Sequence, residues 1–212
     1  MASKVEICNL ALQNIGEEYI TSLSESTPNA IECNLRFDTV RRSLLAMHPW
    51  NFAMKRVALS ASTTAPAFTY TYSYPLPADF LMMVMTEQQE LSQGNFYTLP
   101  DPNKVSVGDS FLADKYTIED GNLLSNSSGV KILYVFDQTD TSQYSGPFVN
   151  LLSYYLAAHI AYRIKGDGNL QQSLMSVFET KLREFKTLDS QQGVPTRIKR
   201  SNWLAARQTG YY

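Results

Sequence analysis

The sequence predicts an α+β fold: a four-helix bundle formed by N- and C-terminal helix pairs, an inserted, mainly antiparallel β lobe, and an extended C-terminal arm. Three observations predict it. Apolar residues recur at helical spacing near both ends of the body, in residues 4–47 and 147–188. Between those stretches a period of two, punctuated by Pro and Gly, takes over. After Gly193 neither pattern continues. Helices so far apart in sequence can still pack as one bundle and leave the segment between them as a second lobe. The division is therefore 1–48 with 147–193 for the bundle, 49–146 for the β lobe and 194–212 for the arm.

The first helix opens on a capping box, Ser3 with Glu6, carries Val5, Cys8, Leu12 and Ile15 on one face, and stops at Gly16. A polar connector runs to Thr27-Pro28, an N-cap followed by proline at the first helical position. The second helix is expected to reach Met47, with Ile31, Leu35, Val40, Leu44 and Met47 as its apolar stripe. Glu32, Arg36, Arg41 and Arg42 then face outward. His48-Pro49 ends it, since a residue before proline is pushed out of the α region.

In the middle segment Phe68, Tyr70, Tyr72 and Tyr74 alternate with Thr69, Thr71 and Ser73, which predicts a strand with one aromatic face. Residues 81–85 offer another strand. Tyr116–Glu119 and 123–125 flank Asp120-Gly121-Asn122, a hairpin signal, and 130–136 reads as a central strand. In the third helix Phe148, Leu151, Leu152, Tyr155, Leu156, His159 and Ile160 share a face up to Gly166. Asn169 is expected to cap the fourth, whose stripe is Leu170, Leu174, Val177, Phe178, Leu182, Phe185 and Leu188, with Gly193 as its stop.

Composition limits the function. Of 212 residues, 44% are hydrophobic, enough for a core, and 12% are aromatic. Only 18% are charged, where about 25% is typical, so apolar and aromatic surface is left to be covered by partners. A net charge of −2 argues against a nucleic-acid binder that works by its overall field. The opening residues lack the basic and apolar regions of a signal peptide. Residues 147–164 carry apolar residues at helical spacing together with Asn150 and Ser153, which fits a buried amphipathic helix better than a membrane span. A soluble protein made in a cytoplasm is expected. Cys8 and Cys33 have no CxxC partner and both fall in helices, so they read as reduced core thiols.

Catalytic constellations are missing from the text. His48 and His159 read as structural residues, and no HExxH, GxSxG, P-loop or GxGxxG occurs. Gly166-Asp167-Gly168-Asn169 lacks the other acids of a calcium loop and reads as a helix–helix turn. The pairs Glu17-Glu18 and Glu119-Asp120 read as solvated acids. The expectation is no catalytic residue, no cofactor and no metal.

Two stretches invite partners instead. Residues 57–86 hold Asp79 as their only charge and read either as sandwich core or as a sheet face covered by a neighbouring subunit. Phe68, Tyr70, Tyr72 and Tyr74 are the candidate interface there. In the arm, Arg197, Lys199, Arg200 and Arg207 come without an acid and are interleaved with Trp203 and Leu204, the residue types that anchor interfaces. Taking this +4 from the whole-chain −2 leaves −6 for the body, which speaks against a nucleic-acid-binding module.

The chain also resembles a family, the tail tubular protein A head-to-tail adaptors of short-tailed bacteriophages. The resemblance lies in Ile7-Cys8-Asn9-Leu10-Ala11-Leu12 with Ile15-Gly16-Glu17, and in a long helix with Arg36 and Arg41-Arg42 before Pro49-Trp50-Asn51-Phe52. It continues in Tyr74-Pro75-Leu76-Pro77-Ala78-Asp79-Phe80-Leu81, Tyr134-Val135-Phe136, the stretch Leu156-Ala157-Ala158-His159-Ile160-Ala161-Tyr162, and Trp203-Leu204-Ala205-Ala206-Arg207. It implies a structural virion protein in the tail or neck, made in the host bacterial cytoplasm. Such adaptors form a homo-oligomeric ring, usually of twelve subunits, between the portal protein and the tail nozzle. The lumen of the ring continues the ejection channel, so genomic DNA passes without sequence-specific binding. On that reading the arm docks on the portal or a neighbouring subunit, and the aromatic strand meets a subunit or the nozzle. No chemistry and no membrane insertion are implied. The competing class is a tail-associated cell-wall hydrolase or a small cytoplasmic hydrolase working through Cys8 or the acid pairs, which would need an exposed Cys8 of depressed pKa.

Overall fold

The structure is a computed structural model and describes residues 2–87 and 116–191. It is mixed helix and sheet: within those residues lie four helices and two small antiparallel sheets. The helices are α1 (Lys4–Ile15), α2 (Pro28–Leu45), α3 (Gly146–Lys165) and α4 (Gly168–Ser190). The first sheet orders its strands β1 (Met54–Ala58), β6 (Lys131–Phe136) and β3 (Phe80–Thr86); the second orders β2 (Tyr72–Pro75), β5 (Asn122–Ser125) and β4 (Tyr116–Glu119).

Helix ends follow local chemistry. Both halves of the Ser3–Glu6 capping box are made, and Gly16 closes α1 with φ of 69°, a left-handed conformation that glycine adopts without strain. Thr27 caps α2 and Ser145 caps α3, each followed by a proline in the first turn. The cap of α4 is Asp167, whose carboxylate accepts from the amides of Asn169 and Leu170; the expected cap, Asn169, is already inside the helix. Gln191 closes α4, and the expected stop at Gly193 lies outside the described residues.

Helix α3 packs on each of the other three helices. Leu151, Leu152, Leu156 and Ile160 of α3 are sealed against Ile7, Leu12, Cys33, Phe37 and Leu44 of α1 and α2. The corner after α2 closes this core: Trp50 is buried, donates its indole N–H to the Leu44 carbonyl at 3.1 Å and meets Phe148 edge-on at 5.2 Å.

The buried face of α2 is only partly the expected one: Val40 and Leu44 are buried as expected. Ile31 and Leu35 are 53% and 66% exposed and Met47 is also on the surface, while Ala30, Cys33, Phe37, Val40, Arg41 and Leu44 point inward. Arg41, expected outside, is 2% exposed.

Strand β6 is buried on both faces. Val135 joins the helical core, whereas Ile132 and Tyr134 join a second cluster with Leu59, Tyr74 and Leu123. The first sheet therefore lies between the helices and the second sheet. The predicted hairpin forms, with Asp120 and Gly121 at φ of 47° and 71° joining β4 to β5, as a two-residue turn of the I′ kind requires. The aromatic strand is shorter than expected. It spans only Tyr72–Pro75, because Thr69 sits at φ of 70°, outside the extended region, and turns the chain before Tyr70.

Candidate functional site

The predicted interface residues part company. Tyr74 is 1% exposed, and its hydroxyl donates to the Ser127 carbonyl (2.7 Å) and accepts from the Gly129 amide (3.1 Å). It is core. Tyr72 and Tyr70 are half-buried, and the Tyr70 hydroxyl is 2.6 Å from that of Thr117 on β4. Phe68 is 82% exposed.

The conformation that presents Phe68 is unusual. The Tyr70 amide donates to the Phe68 carbonyl at 2.8 Å, closing a three-residue turn around Thr69 at positive φ, the rare form of the γ-turn. A β-branched residue there costs on the order of 1–3 kcal/mol. The turn is held from its C-terminal side, where the Thr71 amide and hydroxyl both donate to the Asn126 side-chain oxygen at 2.9 and 3.1 Å. Sequence alternation gave no sign of this, since Thr is an ordinary strand residue.

Elsewhere, apolar side chains lie open at Ile31 and Leu35 on α2, Tyr162 on α3, Val177 and Leu188 on α4, and Ile118 on β4. Exposure is thus present on the helical side and on the second sheet. The proposed docking residues Arg197, Lys199, Arg200, Trp203, Leu204 and Arg207 lie outside the described residues. The end of α4 sits against the α2–β1 corner. There Asn51 donates its side-chain amide to the Asp189 carbonyl (2.7 Å) and its backbone N–H to the Asp189 carboxylate (3.3 Å). His48 Nε2 stands 3.3 Å from the same carboxylate. Burial holds the His48 pKa below its ordinary value, against the pull of Asp189.

Titratable groups elsewhere are tied into the framework. Cys8 and Cys33 are both fully buried free thiols, and the hydrogen bond to Cys33 together with burial drives the Cys8 pKa upward, away from a reactive thiolate. His159 is half-buried, edge-on to Tyr155 at 4.6 Å, with its pKa lowered by burial and by Arg36. Asp79 holds the Lys55 ammonium at 2.7 Å and the Tyr134 hydroxyl at 2.9 Å. Burial pushes the Asp79 carboxyl up, but these two hydrogen bonds outweigh it and its pKa is lowered; Tyr134 is pushed up to about 12 by burial and by Asp79. Glu17 pairs with Lys165 at 2.6 Å, and Asp120 serves the hairpin turn. Among the described residues no group of His, Cys, Asp and Glu could hold a metal ion, and no helix is long and apolar enough to cross a membrane.

A scan against protein-family models finds no match, and a search of the curated proteins finds none either.

Proposed function

We propose that this chain is a structural subunit of a phage tail: a head-to-tail adaptor that forms a ring between portal and nozzle and continues the DNA channel. The observation that carries the reading is the exposure of large apolar side chains on both the helical side (Ile31, Leu35, Tyr162) and the side of the second sheet (Ile118 on β4 and Phe68 on the turn before β2). An annular subunit held between two partners needs such surfaces on more than one side, because each subunit touches two copies of itself as well as the components above and below. The order of family-like fragments along the chain supports the same reading. In it the four helices act as one bundle facing the portal, the sheets face the next subunit or the nozzle, and the arm carries Trp203 and Arg207 to the portal or an adjacent adaptor. The ring is usually of twelve subunits, sits in the tail or neck of the virion and is assembled from protein made in the host cytoplasm.

The test is co-purification with a portal protein of the same phage. The full chain should join the portal in a stoichiometric ring, and removal of residues 194–212 should abolish that complex while leaving a folded body. Portal binding that survives the truncation unchanged contradicts the role given to the arm.

A further inference from the structure

Helices α1 and α2 run antiparallel, and their contacts set a register. Lys4 stands over the Phe37 ring at 4.7 Å with its ammonium 3.1 Å from Asp38. Past the far end of α1, Glu17 accepts from the Asn29 side chain at 3.3 Å. One turn inward from Lys4 is Cys8, and one turn inward from Phe37 is Cys33, so the register sets the two thiols opposite each other. A further turn along, it sets Ala11 opposite Ala30. All four residues are fully buried in one core, and short side chains at a contact let two helices approach closely. The thiols of Cys8 and Cys33 hydrogen-bond to each other.

We propose that Cys8 and Cys33 are a disulfide site that staples α1 to α2 when the chain meets a peroxide. A disulfide needs Cα atoms about 4.4–6.8 Å apart, a spacing that a hydrogen-bonded thiol pair between close helices approaches with little backbone movement. The Cys8 S–H bonded to Cys33 holds the Cys33 pKa below that of an ordinary thiol, so Cys33 is the sulfur that attacks. Its thiolate takes one oxygen of hydrogen peroxide, the O–O bond breaks, water leaves, and Cys33 becomes a sulfenic acid. The Cys8 sulfur then displaces that oxygen: an S–S bond forms, the S–O bond breaks, and the hydroxyl departs as a second water with the Cys8 proton. Two thiols lose two electrons and two protons, and one peroxide is reduced to two waters. Peroxide is little larger than water, which suits a site closed to bulky reagents. In a reducing compartment the pair stays as thiols. In an oxidising one the bond closes a loop of about 25 residues and restrains the unfolded chain. The site is independent of what the chain assembles with.

Peptide mass tests it on the full chain, purified reduced and then exposed to hydrogen peroxide without reductant. Once the peroxide is removed, the chain is unfolded in iodoacetamide and digested with trypsin. Both cysteines are released in one peptide, residues 5–36, which contains no methionine to take up oxygen. That peptide should carry no alkyl group and be about 2 Da lighter than its reduced form, the mass of two hydrogens. The thermal midpoint of the oxidised chain should rise by about 5–10 °C, and dithiothreitol should reverse both changes. Cys8→Ala and Cys33→Ala should each abolish the cross-link and the rise; the wild-type peptide decides the matter where either variant fails to fold. A peptide with both thiols alkylated, one heavier by added oxygen, or one doubled in mass by a bond between copies overturns the site. A cross-linked chain whose midpoint does not rise overturns the staple.

Discussion

Arg41 Nη1 lies 2.9 Å from the Asp137 carboxylate, joining the second helix to the start of the connector that follows β6. The same guanidinium donates to the Gln138 carbonyl at 2.6 Å, and that carbonyl also accepts from the Tyr144 hydroxyl at 2.7 Å. Arg42 reaches the other oxygen of Asp137 at 2.8 Å, and Lys4 of α1 reaches Asp38 at 3.1 Å. One cluster of charges thus ties α1, α2 and the approach to α3 together.

Removing Arg41 leaves Asp137 with Arg42 as its remaining partner and takes a charged donor from the Gln138 carbonyl. Arg41→Ala should therefore destabilise the fold by about 2–3 kcal/mol, while Lys4→Ala, whose partner Asp38 is exposed, should cost no more than about 1 kcal/mol. Urea unfolding of both variants reads the difference. Equal losses would show that the Arg41 network contributes little beyond an ordinary surface pair.

The two histidines set a pH window. Each has a folded pKa below its ordinary value near 6.5, so the unfolded chain binds more protons between that value and the lowered one. Stability is therefore complete above about pH 6.5 and falls as the pH drops below it. The depressed carboxyls, Asp79 and Asp140 among them, act in the same direction but only as the pH falls through and below about 4. Unfolding free energy measured from pH 7.5 to 5 should decline for the wild type and stay nearly flat for His48→Gln combined with His159→Gln.

Helix caps and turns were legible in the sequence because their chemistry is local. Ser3 and Glu6, Thr27-Pro28 and Asp120-Gly121 each act within a few residues. The inward face of α2 was legible only at Val40 and Leu44. Two apolar rows compete on that helix, and Arg41 lies on the buried one because its partner Asp137 comes from 96 positions further along the chain. The strand pairing β1–β6–β3 is equally nonlocal. At the candidate surface, alternation from Phe68 to Tyr74 treats the four aromatics alike, and only tertiary contacts to Asn126 and Thr117 separate the exposed Phe68 from the buried Tyr74.

Trp50 is the keystone of the aromatic corner, between His48 at 4.8 Å and Phe148 at 5.2 Å. Trp50→Ala should cost about 3–5 kcal/mol through the lost contacts and the cavity left behind, whereas Trp203→Ala should leave thermal unfolding unchanged and act only on portal binding. A shift of the unfolding midpoint on replacing Trp203 would contradict its role as a docking anchor.

Thiol chemistry separates the structural reading from an enzymatic one. Cys8 and Cys33 should stay unreactive toward a chromogenic disulfide in the folded chain and react together on unfolding. Fast labelling of Cys8 in the native protein, with loss of a measurable hydrolytic turnover in Cys8→Ala, would favour the hydrolase.

The central claim, a ring-forming adaptor, is tested most directly by the mass of the native particle, measured by native mass spectrometry for the chain alone and mixed with its portal protein. The account predicts a complex with the portal in which the chain is present as a closed ring of identical subunits. A monomer in both samples, across the whole accessible concentration range, would contradict it.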